Sequence, residues 1–368
     1  MSIVRIGDQE IMHGNCLEVL RKPDLEPLDV VVTSPPYNLN LAYGMYDDAR
    51  TEKDYVNWIA DVATAIKRVL KPDGSFFLNL SGSNSRPYVP FEVLVKLRND
   101  VGFHLQNHIT WIKSIGIGCE SSGHFKPVPG HRFMHHNHEH IFHLTHDNDV
   151  RLDRLSIGIP FQDKSNIARR GHSRDLRCRG NTWFIPYPTV KSKAQKYWHP
   201  ATFPVELPLW CIYLHGRPGA RVLDPFLGTG TTLVAAHLAG AKGVGIDIDP
   251  TYIATARQRL TDVVQGSRRV ILDRSEMEHL FRSDAAQQDG AAWRRRIVAF
   301  QERLNKTTGE LVLNDGDVDW ITRNASRPTK RCWQNWIAAA FARHVDLERD
   351  HRRRNRWRSD LREQTLGL

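Results

Sequence analysis

Two kinds of apolar pattern alternate along the first two-thirds of the chain. Short continuous apolar runs read as buried strands, and apolar positions recurring every three or four residues read as helices facing a core. Leu28–Val32 is a strand of the first kind. Asp54–Leu70 has helical period and sets Tyr55, Trp58, Ile59, Val62, Ile66 and Leu70 on one side. Lys71–Gly74 then reads as a turn, Ser75–Leu80 as a strand, Phe91–Val101 as a helix and His108–Ile112 as a strand. After a long break the alternation resumes: helix Leu207–Leu214, strand Arg221–Asp224, helix Leu233–Ala239, strand Lys242–Asp247 and helix Tyr252–Leu260. This β–α alternation predicts an α/β fold built on a doubly wound sheet.

Two strand ends carry candidate chemistry. Leu28–Val32 runs into Thr33-Ser34-Pro35-Pro36-Tyr37. Consecutive prolines can neither continue a strand nor open a helix normally, so the chain must turn there. Ligands of open α/β sheets bind outside such carboxyl ends. The turn offers a hydroxyl, carbonyls without ladder partners and an aromatic face, parts suited to holding a flat base by its amino group. The second strand runs into Asp224-Pro225-Phe226-Leu227-Gly228-Thr229-Gly230-Thr231 and then a helix, the strand–glycine–helix order of nucleotide-type cofactor sites. Asp247 ends the next strand, 23 positions after Asp224. Dinucleotide folds place a ribose-binding acid about 20 residues on. The glycines do not spell G-x-G-x-x-G, so a nicotinamide cofactor is not indicated.

Together these motifs resemble the amino-group DNA methyltransferases that use S-adenosyl-L-methionine, and the resemblance covers roughly residues 1–262. In that family Ser-Pro-Pro-Tyr is the catalytic motif and Asp-Pro-Phe-x-Gly-x-Gly-Thr binds the cofactor. Here the catalytic motif comes first, the order of the permuted β group, in which target recognition lies between the two. The resemblance implies a Rossmann-like methyltransferase sheet. It assigns catalysis to Ser34, Pro35, Pro36 and Tyr37, with Ser34 Oγ and the Pro35 carbonyl accepting from the target amine and Tyr37 stacking on a flipped base. It assigns cofactor contacts to Asn15, Cys16, Thr202, Asp224, Pro225, Phe226, Gly228, Gly230, Thr231 and Asp247. Asn15 stands where the family usually has Asp. In the family, Ser-Pro-Pro-Tyr goes mostly with cytosine N4, and Asp- or Asn-Pro-Pro-Tyr with adenine N6. The expected activity is therefore site-specific N4-cytosine methylation of double-stranded DNA, with adenine N6 as the alternative. A catalytically inactive DNA-binding protein is the rival from another class. Methyltransferases of RNA or protein amides usually place the cofactor motif first. The chain has no Pro-Cys dipeptide, which argues against cytosine C5 chemistry.

The break at residues 113–196 is rich in Gly, Pro, His and Arg, and only His138–Leu144 reads there as a strand. Long irregular segments in compact domains are usually functional. Lys164, Arg169, Arg170, Arg174, Arg177, Arg179, Lys191 and Lys193, interleaved with Phe161, Trp183 and Phe184, make this the expected target-recognition region, since Lys and Arg neutralise phosphates and Arg reads guanine. The organisation expected is a catalytic half (1–112), a recognition region (113–196), a cofactor half (197–262) and a mainly helical basic extension (263–368). Net charge +10 over 368 residues fits a polyanion partner. The histidines of residues 124–146 come without paired cysteines, and no metal is expected; five scattered Cys without C-x-x-C argue against a disulfide framework. No signal-peptide layout or ~20-residue apolar run occurs, so the expected location is the cytoplasm, on the nucleoid, without membrane contact. A homodimer and a cognate restriction endonuclease are further partners compatible with the resemblance.

Overall fold

The computed structural model describes residues 2–265, apart from 24, 40, 42–44, 47, 118–119, 124–126, 160, 170–175 and 187–201, and beyond 265 only 270–273, 295, 298–300, 302, 310–313 and 317. The chain divides into two compact units: residues 1–154 with 179–264, and residues 155–178 with 265–368.

The first unit is built on a nine-stranded sheet. Its strands are β1 (Ser2–Ile6), β2 (Gln9–His13), β3 (Leu28–Thr33), β4 (Leu70–Leu80), β5 (His104–Ile112), β8 (His138–Thr145), β9 (Thr182–Phe184), β10 (Arg221–Asp224) and β11 (Lys242–Asp247). β6 (Ser114–Ile117) and β7 (Glu120–Gly123) form a separate antiparallel pair. The order across the sheet is β1-β2-β11-β10-β3-β4-β8-β5-β9. β2, β11, β10, β3 and β4 run parallel, as the alternation of strands and helices requires. β8 enters antiparallel between β4 and β5. From β3 the chain passes through helix α2 (Glu52–Val69) to β4 on one side, and from β10 through α6 (Thr231–Leu238) to β11 on the other. The winding therefore reverses between β3 and β10, and the crevice at such a reversal is where ligands bind.

The central strands are apolar because both faces are covered. All six residues of β3 are buried. α2 buries Tyr55, Ile59, Val62 and Ile66 and starts at Thr51, whose hydroxyl accepts from Asp54 N. Phe76, Phe77, Phe142 and Trp111 are almost wholly buried in the sheet, and burying such side chains stabilises by about 1.5–3 kcal/mol each. Trp111 also donates from its indole to the Ile185 carbonyl at 2.8 Å, so its polar atom is satisfied.

Three details differ from the sequence pattern. The expected turn at Lys71–Gly74 lies inside β4: Leu70 pairs with Leu28, then the register jumps and Ser75 pairs with Val30, so the turn residues form a bulge. Phe91–Val101 divides into α3 (Val89–Lys96) and a π-helical turn (Leu97–Val101) closed by Gly102 in the left-handed region. Residues 113–196 contribute β9 to the sheet edge as well as β8, with Trp183 paired to Trp111; three residues are too short a run to show a period. The remaining helices of this unit are α1 (Cys16–Leu20), α5 (Glu206–His215) and α7 (Pro250–Gln265).

The histidines of β8 take structural places. His143 is fully buried, stacks on Phe77, and shares the Ser75 hydroxyl with His215 of α5, each at 3.0 Å. Burial pushes the two imidazoles down to about 3 and about 4, so both stay neutral. Among the described residues no His, Cys, Asp and Glu cluster is placed to hold a metal ion, and no helix is long and apolar enough to cross a membrane.

In the second unit, α4 (Ser165–Arg169) lies in residues 155–178, and β12 (Val270–Asp273) pairs antiparallel with β13 (Glu310–Leu313). Phe300 and Asp317 are buried. Most of the basic C-terminal extension and the helices expected at 291–304 and 331–345 fall outside the described residues.

Candidate active site

Both predicted turns sit at the carboxyl edge of the sheet, on either side of the winding reversal. They are joined there by one hydrogen bond: Thr33 Oγ, the last residue of β3, donates to Asp224 Oδ1 at 2.6 Å. Asp224 is only 1% exposed. Its other partners are Thr232 Oγ at 2.6 Å and Phe226 N at 3.1 Å. Its carboxylate is thus committed to the chain itself, binding together the ends of β3 and β10 and the start of α6. Burial raises it to about 6 against the pull of these donors.

The glycine turn behind it is shaped for close approach. Gly228 and Gly230 have φ of 51° and 83°, the left-handed region where side chains are strained. A Cβ on Gly230 would lie 2.9 Å from Ala256 Cβ, so α7 packs directly against the turn. Beneath it, the buried Arg259 donates to Thr231 Oγ at 2.8 Å. Asp247, at the end of β11, accepts from Gly228 N at 2.7 Å and from Asp249 N at 2.9 Å. Burial, and then the neighbouring carboxylates of Asp224 and Asp249, push Asp247 up to about 6. The carbonyl of Asp247 accepts from Gly14 N at 2.9 Å, which brings the Gly14–Cys16 turn to the same edge. There Asn15 caps α1, its Oδ1 accepting from Leu17 N at 2.9 Å. Cys16 is 6% exposed and burial raises its thiol to about 12, so it is a packing group and not a nucleophile. Phe226 packs against Trp58 with ring centroids 5.3 Å apart. Thr202 is half-buried just before α5. Residues 14–16 and the 224–230 and 247–249 turns thus meet at one sheet edge, which presents glycine backbone and partly desolvated acids. That donor set fits a cofactor with hydroxyls and positive charge, which would relieve the mutual repulsion of Asp247 and its neighbours.

On the other side of the reversal, Ser34 and Tyr37 are half-buried and Pro35 is buried. Tyr37 does more than present a ring. Its hydroxyl lies 2.7 Å from Ser34 Oγ and donates to Glu139 Oε2 at 2.8 Å. Asn79 Nδ2 donates to the Tyr37 oxygen at 2.7 Å and to Glu139 Oε2 at 2.8 Å, and lies 3.4 Å from Ser34 Oγ. Lys113 Nζ donates to Glu139 Oε1 at 3.1 Å. Burial and the Glu139 charge raise the Tyr37 hydroxyl well above the ordinary tyrosine range.

Sheet register explains the convergence. Asn79 is next to last in β4, and β8 runs antiparallel to it with Leu80 facing His140. Glu139 therefore enters β8 at the edge where β4 ends. β5 also ends there, with Trp111 facing Glu139 and Lys113 following. Asn79, Lys113 and Glu139 were not singled out from sequence as site residues. The His138-Glu139 pair before an apolar strand was the available signal, but a strand-forming pattern alone does not reveal its neighbour across the sheet.

The basic candidates are divided between the two units and residues outside those described. Lys164 and Arg177 are exposed and belong, with the backbone of Arg169, to the second unit; Arg177 bridges to Ile159. Arg179 belongs to the first unit, its guanidinium over the Trp210 ring at 4.1 Å from the centroid. Arg170, Arg174, Lys191 and Lys193 lie outside the described residues.

Comparison with known proteins agrees with this geometry. The family model described as DNA methylase matches residues 28–258. The Type II methyltransferase M.HpaI of Haemophilus parainfluenzae is 28% identical over 260 residues, covering 70% of this chain and 76% of that protein. DNA adenine methyltransferase YhdJ of Escherichia coli (strain K12) is 27% identical over 267 residues, covering 70% and 84%. Among solved structures, the cytosine-N4-specific PvuII DNA methyltransferase superposes with a TM-score of 0.51 at 21% identity, over 70% of this chain and 91% of that one, a likeness of fold. Matched by that model over well over half of its length, the chain belongs to the DNA methylase family of the N6/N4 type.

Proposed function

We propose that the protein is a site-specific DNA methyltransferase that transfers a methyl group from S-adenosyl-L-methionine to the exocyclic N4 of a cytosine flipped out of duplex DNA. The observation that carries the reading is the Thr33–Asp224 hydrogen bond, which holds the Ser-Pro-Pro-Tyr turn and the glycine turn, 191 residues apart in sequence, at one point of the sheet edge. A methyl donor on one side and an amine on the other then meet across the winding reversal.

S-adenosyl-L-methionine is the cofactor of these DNA methylases and supplies an electrophilic methyl on a cationic sulfur. The chain's own groups bind and orient. Asp247 accepts from ribose hydroxyls, Asn15 and Cys16 border the adenine, Thr202 lies at the carboxylate, and Gly228 and Gly230 admit the methionine part to the backbone, with Pro225, Phe226 and Thr231 completing the turn. Asp224 acts through the turns it ties together. Ser34 Oγ and the Pro35 carbonyl accept from the two amino protons, which localises the nitrogen lone pair and aims it. Pro36 fixes the turn, and the Tyr37 ring stacks on the base. A base inside a duplex is unreachable, so it is flipped into this pocket. Rate comes from orientation and preorganised acceptors. Lys164, Arg169, Arg170, Arg174, Arg177, Arg179, Lys191 and Lys193 hold phosphates or read bases.

The relatives named above include an adenine enzyme, and the structural neighbour is named for cytosine N4. The preference for cytosine rests on Ser34. Nucleoside mass spectrometry of DNA incubated with protein and S-adenosyl-L-methionine should give N4-methylcytosine. N6-methyladenine would transfer the same machinery to adenine. Cofactor binding without any methylated base would favour an inactive DNA-binding protein. A paired restriction endonuclease and a homodimer extend the same reading.

Cofactor binding should also be linked to protons. Asp247 sits at about 6 because its ionised form is disfavoured by burial and like charge. A cationic ligand favours that ionised form, so affinity should rise with pH between about 5 and 7, and near pH 6 binding should release about half a proton. Titration calorimetry in buffers of different ionisation enthalpy measures this. Equal heats in every buffer would remove Asp247 from the cofactor contact.

A further inference from the structure

The Glu139 carboxylate orders the hydrogen bonds around Ser34. Glu139 is a carboxylate with acceptors only, so the Tyr37 hydroxyl, at 2.8 Å, must donate to it. A phenol has one proton, and Tyr37 has therefore none left for Ser34. Asn79 is consistent with that polarity, its Nδ2 donating to both the Tyr37 oxygen and Glu139 Oε2. The amide orientation follows from the same carboxylate, which accepts and cannot donate. Ser34 Oγ, 2.7 Å from the Tyr37 oxygen, must then be the donor in that pair. With its proton committed, Ser34 can offer only lone pairs to whatever enters the pocket.

We propose that Glu139, through Tyr37, sets Ser34 as an obligate hydrogen-bond acceptor and is the final receiver of the proton that the methylated amine must lose. The proposal deepens the methyltransferase reading and rests on it. The transfer balances. The nitrogen lone pair forms the bond to carbon while the carbon–sulfur bond pair returns to sulfur, which becomes neutral. The amine is left cationic and gives one proton to Ser34 Oγ. Ser34 passes its own proton to the Tyr37 oxygen, and Tyr37 passes its own to Glu139 Oε2, so one carboxylate becomes one carboxylic acid. Lys113, at 3.1 Å from the other oxygen, holds the carboxylate in place. Glu139 is a positioning residue in this scheme; Ser34 and the Tyr37 ring touch the substrate, and the Tyr37 hydroxyl acts through Ser34.

A polarity device makes a prediction that a packing role does not. An acceptor at Ser34 favours a base with an amino group over the same base with a carbonyl there. Once the methylated site is located, wild-type protein should bind duplexes carrying cytosine at the target about tenfold more tightly than duplexes carrying uracil, the size expected when an acceptor faces an acceptor; adenine and hypoxanthine serve if the target is adenine. In Tyr37→Phe the ring remains and the Ser34 proton is released to turn either way. That variant should bind the two duplexes equally, with S-adenosyl-L-methionine affinity unchanged. Glu139→Gln, which cannot take up the proton, should lower the single-turnover rate about a hundredfold, with its thermal midpoint confirming the fold. If wild type does not discriminate, or if Tyr37→Phe keeps both the discrimination and the rate, the proposal is overturned while methylation by wild type leaves the enzyme reading standing. Absence of methylation by wild type on any DNA overturns the enzyme reading itself.

Discussion

Ser34→Ala loses about two to three orders of magnitude in single-turnover methyl transfer, the usual effect of deleting one preorganised partner of the reacting group, while cofactor affinity stays unchanged. The reasoning is local. Ser34 has no hydrogen bond to Asp224, Asp247 or the glycine turn; its partners are Tyr37 and Asn79. Removing the hydroxyl leaves Tyr37 still donating to Glu139 and accepting from Asn79, so the network behind it survives. The Pro35 carbonyl remains as an acceptor, which is why the loss is finite. Stability should fall by about 1 kcal/mol or less, the net worth of one hydroxyl hydrogen bond. Rapid-quench transfer of labelled methyl groups, with cofactor binding measured in parallel, separates the two effects. A variant within threefold of wild type would mean that the turn does not act on the amine through Ser34.

Gly230→Val destabilises the first unit by about 2–5 kcal/mol and abolishes cofactor binding. Two penalties combine. The left-handed conformation at φ 83° costs a side chain about 1–2 kcal/mol. Overpacking costs about 1–3 kcal/mol, and a Cβ here meets both Ala256 Cβ at 2.9 Å and Ala256 Cα at 3.2 Å. Helix backbone cannot yield as a flexible side chain does. Gly240 is the control: its φ is 67°, and a Cβ there meets nothing within 4 Å. Gly240→Ala should lose only the conformational part and keep the cofactor. Denaturant midpoints of the two variants, with cofactor titrations, test this. Equal destabilisation by both would show that α7 moves aside and the turn is not tightly packed.

Much of this site was legible in the sequence because its markers are backbone necessities. Two prolines after an apolar strand force a turn whatever surrounds them, and glycines between a strand and a helix permit an approach that other residues forbid. Both turns lie at the carboxyl edge, as their strand ends require; the winding reversal between them shows only in the sheet order. Residues whose role depends on a neighbour from elsewhere were harder to read. Asn79 looked like one more position of a buried strand. Glu139 became a site residue only when β8 entered antiparallel and brought its first residues beside the end of β4. Asp224 was read as lining the cofactor. In the structure its oxygens also accept from Thr33, Thr232 and Phe226 N, and no motif spacing announces the Thr33 partner. The bulge at Lys71–Gly74 has the same origin: four turn-forming residues read as a strand boundary until pairing on both sides carries the ladder past them.

The sheet order also governs how the protein comes off the ribosome. β10 and β11 are inserted between β2 and β3, although they are made last of the sheet strands. Until they emerge, β2 and β3 each present an unpaired inner edge, and β3, every residue of which is buried in the finished sheet, has no partner on that side. At roughly 5–20 residues per second, the stretch from Thr33 to Arg221 takes about 10–40 s to synthesise. For that interval the nascent chain carries an open slot in the middle of its future sheet. The glycine turn, and the Thr33–Asp224 bond that ties it to the Ser-Pro-Pro-Tyr turn, do not exist until the slot is filled, so the growing chain cannot transfer methyl groups and is most exposed to chaperones or aggregation while it waits.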